Sequence, residues 1–498
     1  MYYRTNENDE ADSTIRFGKY RGKKTWNEVL AIDISYLIWV KENTSQFIPD
    51  EIRTALDEIL ILQLNPKVPL NPLQREAAEA VVAGESVLVV GPAGTGKTQI
   101  LKAIFGERAA RIAPTGVAAA GISGVTFHSV FKIDPADPLV IIRKPLSESI
   151  TVAMFDECFY SSATLLFRAL QSIIDSGKNV TYLFMGDPLQ LSPVQAENDK
   201  HRLAELDEGE VEIVSELKEW KRKSLLDVLE HFGIKYRTII LERSIRHEDN
   251  ETFNIMMAAR TASLTPAQLK VLNSRVVKMP PSDSFSLVPT NKLRQKLSND
   301  YLATFQGLVE LKTTQFSNVT DEELAEYIKG KPKMEFLKGK LRRSRFNFRP
   351  LLLAPGCRIM IVKNDNTIGV VNGDMGHVIS IEDDVIECSI ERTQTTVYIE
   401  RVFHGFETRD KQVKIGINIY PLRLASAATK HKTKGITIYG KLHIFVNVAM
   451  VDTPGLLYTA LTRIRHLDQV TFSAPVTNRH FCYHKKWKRI LDTLKPTA

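Results

Sequence analysis

Gly91-Pro-Ala-Gly-Thr-Gly96-Lys97-Thr98 spaces its glycines, lysine and threonine in the pattern GxxxxGK[ST]. Glycines at those places let backbone N–H groups turn inward around phosphates, and a lysine just behind them adds a charge for the β- and γ-phosphates. The candidate nucleotide-binding residues are Gly91, Pro92, Ala93, Gly94, Thr95, Gly96, Lys97 and Thr98, with the Thr98 hydroxyl a ligand for Mg²⁺. Hydrolysis also needs carboxylates at the end of another strand, and Thr151-Val-Ala-Met-Phe-Asp156-Glu157 offers a pair. Asp156 would ligate the magnesium; Glu157 would orient and deprotonate the attacking water. A solvated acidic strand end has the same local sequence, and it is the complete phosphate loop upstream that favours the catalytic reading.

These groups must sit on strand ends. Apolar runs at residues 86–90, 111–113, 151–155, 181–185 and 238–241 alternate with helical patterns, which predicts a parallel sheet covered by helices. A second alternating stretch begins near residue 285 and resumes after 420. Between them, 301–350 is charged and carries no clear pattern, and 381–419 is rich in β-formers and predicts a small β insertion. Asn372-Gly-Asp-Met-Gly376, just before it, reads as a tight structural turn. Residues 1–14 read as a disordered leader. Residues 15–62 read as a small accessory unit, with helical spacing through Trp26, Val29, Leu30, Tyr36, Leu37 and Trp39. Asn65-Pro66, Pro69 and Asn71-Pro72 mark a linker after it.

At 498 residues the chain has room for roughly three domains. Its 66 Lys and Arg against 58 Asp and Glu give a net charge of +8, which leans toward a polyanionic partner. The four cysteines, Cys158, Cys357, Cys388 and Cys482, form no CxxC pair, which argues against a disulfide framework or a thiolate zinc site and for a reducing interior. His480-Phe-Cys482-Tyr-His484 has ligand-type residues but no evident fourth ligand, and it reads as part of an amphipathic terminal helix continuing through Lys485, Trp487 and Arg489. With no apolar stretch of signal or membrane length, the expectation is a soluble intracellular protein of the cytoplasm or nucleoid.

Further blocks bring a family into view. Ala113-Pro-Thr-Gly-Val-Ala-Ala119 and Thr126-Phe-His-Ser129 lie between the first two motifs. Phe184-Met-Gly-Asp187-Pro-Leu-Gln190-Leu-Ser-Pro-Val194 follows. Tyr420-Pro-Leu422, Thr429-Lys-His-Lys-Thr-Lys-Gly-Ile-Thr437 and Tyr458-Thr-Ala-Leu-Thr-Arg463 close the series. In this order, over about residues 70–475, they resemble the superfamily-1B DNA helicases, the group containing RecD-like and Dda-like enzymes. The stretch His128-Ser-Val-Phe-Lys-Ile-Asp-Pro135 looks most like the phage Dda-like branch, so the chain could be phage- or virus-encoded and act in a host cell.

The resemblance implies an α/β protein with two tandem RecA-like motor domains, a small SH3-like β-barrel insertion and an appended N-terminal domain. It places the first motor at 66–230, with a short pin-like insertion at about 132–150. The second motor occupies 231–380 and 420–498, and the β insertion 381–419. By the same resemblance Gln74 reads the adenine edge, Gln190 senses the γ-phosphate, and Arg246 and Arg463 reach that phosphate from the second motor, with Arg243 a rival to Arg246. Pro114, Thr115, Thr126 and His128 on the first motor, and Thr290, Asn291, Thr429, His431 and Lys432 on the second, would contact the nucleic-acid backbone. Each threonine can equally be a helix cap. Lys434 stands where the group usually has Gln. The implied cofactors are ATP and Mg²⁺. The implied partners are single-stranded DNA and single/double-strand junctions, beside single-strand-binding or replisome proteins, for a monomer moving 5′ to 3′. Rival functions are a translocase that strips proteins or remodels junctions without unwinding, a nucleotide-gated loader with no turnover, and an RNA helicase.

Overall fold

The computed structural model describes residues 15, 20–32, 36–37, 40, 48–53, 63–106, 108–133, 142, 144–147, 149–191, 220, 223–243, 250–317, 350–365, 367–407, 414–429 and 438–494. The first body is built on six parallel strands: β1 Val87–Val90, β2 Ala109–Ala113, β3 Val125–Thr126, β4 Val152–Phe155, β5 Thr181–Gly186 and β6 Arg237–Ile240. Their order across the sheet is β3-β2-β4-β5-β1-β6. β1 and β4 are buried along their whole length, so they read as continuous apolar runs, as central strands covered on both faces must. On one face a ladder of rings, Phe127, Phe155, Phe184 and Tyr182, stacks at centroid separations of 5.4, 5.2 and 5.7 Å. Burying each such side chain contributes about 1.5–3 kcal/mol. The ladder anchors β4 and β5 immediately before Asp156 and Asp187.

The sixth strand begins at Arg237, pairing Leu88 with Thr238, so the first body extends past the expected boundary at residue 230. The second body is a four-stranded parallel sheet of β7 Ser284–Val288, β8 Ala427–Thr429, β9 Lys441–Ile444 and β10 Val470–Phe472, ordered β8-β7-β9-β10. Helices Asn250–Arg260, Pro266–Asn273 and Leu456–Leu461 cover it. The chain end does not stay with this body: Leu491 lies in the first body's core and Trp487 packs edge-on against Phe159 at 4.9 Å. The terminal helix spans Lys485–Leu494, so His480 and Cys482 precede it. His480 Nδ1 accepts from the Thr477 N–H as a local cap.

The antiparallel part is wider than the expected 381–419. Its five-stranded sheet runs in the order 395–399, 385–390, 375–382, 358–361 and 422–424, with a separate three-stranded sheet of Thr314–Ser317, Lys414–Ile419 and Val402–Glu407. Strand 358–361 falls within the range expected for the second motor, yet its register to 375–382 and 422–424 makes it the sheet's fourth strand. Arg358 joins this sheet to the second body: it pairs with Glu391 at 2.6 Å and donates to the Asp283 carbonyl at 3.1 Å. The turn at 372–376 is held by Asp374, which accepts from the Val371 N–H and pairs with Arg392 at 2.7 Å. A separate small core, Ile15, Trp26, Val29, Leu37, Val40, Ile48 and Ile52, forms the N-terminal unit. Among the described residues no helix is long and apolar enough to cross a membrane. The pin region at 134–141 lies outside the described residues, as do Arg246, His431, Lys432 and Lys434.

Candidate nucleotide site and nucleic-acid edge

The phosphate loop leaves β1 and ends in the helix Lys97–Ala103. Gly94 and Gly96 take φ of 85° and 78°, a left-handed turn that side chains resist and that points successive N–H groups to the loop's inside. Gly91 runs so close to β6 that a Cβ there would lie 2.6 Å from the Leu241 carbonyl oxygen. The Lys97 ammonium donates to the Gly91 and Pro92 carbonyls at 2.7 and 2.8 Å. Burial lowers its pKa, against the raising pull of Asp187, Glu157 and Asp156. This cation held on carbonyls inside a ring of N–H groups fits a triphosphate.

Gln74 braces the loop from behind. Its amide oxygen accepts from the Asn71 N–H at 2.9 Å and its amide nitrogen donates to the Thr95 carbonyl at 2.9 Å, and the residue is 2% exposed. Asn71 returns the bond to the Gln74 N–H, a capping box that starts helix Pro72–Val82. The amide expected to read adenine is thus tied to the loop's own backbone.

Asp156 is buried at the end of β4 and accepts from the Glu157 N–H at 2.8 Å. Glu157 takes φ 50°, a conformation that costs a non-glycine residue about 1–3 kcal/mol and recurs where a side chain must be aimed. Thr98, next to Lys97 on the first helical turn, and Asp156 supply the hard oxygens that Mg²⁺ prefers.

The segment Asp187–Leu191 follows β5 and is where the second body arrives. Asp187 is gripped by Arg260, the last residue of helix Asn250–Arg260, through Nη2 at 2.8 Å and Nε at 3.1 Å. The Tyr458 hydroxyl donates to its other oxygen at 2.9 Å. Thr459 Oγ1 accepts from the Leu191 N–H at 2.8 Å. Leu191 itself belongs to the second body's core. Gly455 allows this approach: at φ 76° it lets the helix start against the Gln190 backbone, where a Cβ would lie 2.5 Å from the carbonyl carbon. Gln190 is 4% exposed, and its amide oxygen has no hydrogen-bond partner among the described residues. Arg463, 3% exposed, donates to the Thr459 carbonyl at 3.0 Å and the Thr462 hydroxyl at 2.7 Å. Neither Arg260 nor Tyr458 is among the residues the motifs single out as chemical. The only trace of them is that Tyr458 opens the last block.

The expected nucleic-acid residues gather at strand ends. Pro114 and Thr115 follow β2 and Thr126 ends β3, with Ala113 and Thr126 paired across the two strands. Thr290 and Asn291 follow β7, and Thr429 ends β8, where it pairs with Val288. His128 sits one residue into the helix that Thr126 starts. Thr115, Thr126 and Thr290 each accept from a backbone N–H three residues on, at 3.2 Å, so all three do cap helices. Capping leaves the helix N-terminus itself facing outward at the carboxyl end of a parallel sheet, where such folds take up ligands.

An AAA domain family matches residues 69–230. The chain is 24% identical to the ATP-dependent DNA helicase Pif1 of Bdellovibrio bacteriovorus, covering 80% of this chain and 86% of that protein. It is also 24% identical to human ATP-dependent DNA helicase PIF1, covering 81% of this chain but 60% of the longer human protein. Among solved structures, a Bacteroides Pif1 helicase in complex with ADP-AlF3 and single-stranded DNA superposes with a TM-score of 0.61 at 23% identity, over 86% of this chain and 98% of that one. The Candida albicans Pif1 helicase gives the same TM-score at 20% identity, over 86% and 99%. At these identities the structures establish a shared fold.

Proposed function

We propose that this chain is a helicase of the superfamily-1B group, an ATP-dependent DNA helicase that moves 5′ to 3′ along single-stranded DNA and opens duplex at junctions. The observation that carries the reading is the seam at Asp187–Leu191. There, the segment beside the phosphate loop is held by Arg260, Tyr458 and Thr459, on helices that cover a second parallel sheet. A hydrolytic site built this way transmits its state to a second body, and alternating grip on a strand turns that into a step.

In this reading Lys97 and the loop N–H groups bind the phosphates. Thr98 and Asp156 would hold Mg²⁺, which supplies charge neutralisation at the β- and γ-phosphates. Glu157 takes the proton of the attacking water. The unpartnered Gln190 amide oxygen is suited to orient that water or answer the γ-phosphate, and Arg463 with Arg246 supplies guanidinium charge where the transferring oxygens become negative. The two pairs of strand ends, Thr115 with Thr126 and Thr290 with Thr429, hold backbone phosphates on one body each. The partners are single strands and single/double-strand junctions, with single-strand-binding or replisome proteins alongside, for a monomer working inside the cell.

Steady-state ATP hydrolysis with single-stranded DNA and with RNA of the same sequence tests the substrate, with Lys97→Ala as the blank. Stimulation by DNA alone, lost in Lys97→Ala, is expected. Stronger stimulation by RNA would replace this reading with the RNA-helicase one.

A further inference from the structure

Asp187 carries a charge with a side chain 0% exposed, and both side chains that hydrogen-bond it come from the other body, with Lys97 of the loop as a further nearby cation. Arg260 reaches it from the C-terminal end of one helix, its own side chain 11% exposed, and Tyr458 from the first turns of another. The same phenol oxygen also faces the Ala93 N–H of the phosphate loop. On the first body's side, β5 is stitched to the loop by the Gly91 N–H donating to the Gly186 carbonyl at 3.2 Å. Three parts of the molecule that a motor must keep in step therefore meet at one carboxylate: the loop, the Asp187–Gln190 segment and the second sheet.

We propose that Arg260 and Tyr458 are positioning residues that seat the Asp187–Gln190 segment from the second body, setting the Gln190 amide for hydrolysis only when the two bodies are engaged. The inference deepens the motor function proposed above and rests on it. The chemistry of the contact supports the role. Burial alone would raise the Asp187 pKa, but Arg260, Lys97 and the Tyr458 hydrogen bond hold it below the usual carboxylate range, which favours the ionised carboxylate that the pair needs. Burial and the neighbouring Asp187 raise the Tyr458 phenol well above its ordinary value, so it stays a donor. A planar guanidinium with two N–H groups on one carboxylate also fixes an angle, which a lysine does not. Separating the pair while it is still buried would leave an uncompensated charge, which disfavours partly opened arrangements of the seam.

The test uses the full chain and reads ATP turnover with saturating single-stranded DNA, ATP KM and thermal midpoint together. Arg260→Gln and Tyr458→Phe are expected to lower DNA-stimulated kcat at least tenfold and threefold, while KM for ATP moves less than threefold. Arg260→Lys keeps the charge but not the fork, and is expected to recover less than a third of the lost kcat. Because Arg260→Gln strands a buried carboxylate, the double variant Asp187→Asn with Arg260→Gln is read beside it. Restored thermal midpoint with kcat still low supports positioning. Restored midpoint with restored kcat overturns it, leaving a merely structural pair, and so does Tyr458→Phe at the wild-type rate. If the wild type itself ignores single strands, the motor function falls and this inference with it, a result distinct from a responsive wild type with indifferent variants.

Discussion

Replacing Gly455 by alanine sets a methyl group against backbone that cannot step aside. The added Cβ would lie 2.5 Å from the Gln190 carbonyl carbon and 2.7 Å from the Gln190 and Leu189 oxygens, and the residue holds φ 76°. The left-handed backbone costs an L-residue about 1–2 kcal/mol. Forcing a methyl into close-packed backbone costs about 1–3 kcal/mol more. Of the sum, about 2–5 kcal/mol, only the clash share of about 1–3 kcal/mol falls on the seated arrangement of the seam, because the clash exists only there. Even its lower end reduces the seated population about fivefold at about 1.4 kcal/mol per tenfold. DNA-stimulated ATP turnover in Gly455→Ala should therefore fall at least about fivefold. Gly84→Ala is the matched control: φ is 90° but nothing lies within 4 Å of the added methyl. It should cost only the backbone share and leave turnover within twofold of wild type. A Gly455→Ala protein that hydrolyses ATP on DNA as fast as Gly84→Ala would refute the reasoning, since the close approach would then have no functional weight.

Three further outcomes follow from individual contacts. Gln74→Ala leaves the Thr95 carbonyl and the Asn71 N–H unpaired, at about 1–3 kcal/mol for a buried group. Binding of a fluorescent ATP analogue should weaken about tenfold, and an unchanged Kd would contradict the brace. Arg358→Met strands Glu391 beside the Asp283 carbonyl, and the urea-unfolding free energy should drop about 3–5 kcal/mol, whereas a loss below about 1 kcal/mol would contradict the joint between sheets. His443, 1% exposed, has its pKa lowered by burial to about 4. The unfolded chain then binds more protons between its ordinary 6.5 and 4, so stability is full above that window and lost as pH falls through it, by up to ~3 kcal/mol. His443→Gln should flatten this slope in urea titrations at pH 7 and pH 4.5. An equal slope in both proteins would assign the acid sensitivity elsewhere.

What was legible in the sequence is what acts through neighbours along the chain. The phosphate loop, with Gly94 and Gly96 in a left-handed turn before the helix of Lys97, is a local pattern, and so is the carboxylate pair that ends an apolar strand. Alternating apolar runs predicted parallel sheets because central strands covered on both faces are apolar throughout. The partners of Asp187 were not legible. Arg260 lies 73 residues away and Tyr458 271 residues away in the chain, and an arginine ending a helix is by itself an ordinary surface residue. The Gln74 amide reads as a free recognition group until its two bonds to Asn71 and Thr95 are seen. Boundaries drifted for a related reason. Residues 237–240 join the first body and 358–361 the antiparallel sheet through strand pairings, and Leu491 joins the first body through core packing, none of which the local sequence specifies.

Unwinding of two otherwise identical DNA duplexes, one with a 5′ single-stranded tail and one with a 3′ tail, tests the central claim most directly. With ATP and Mg²⁺ the account predicts that only the 5′-tailed duplex opens, and that Lys97→Ala opens neither. Opening of only the 3′-tailed duplex would contradict the assigned direction. If neither opens while single strands still stimulate hydrolysis, the chain is a translocase and the helicase claim fails.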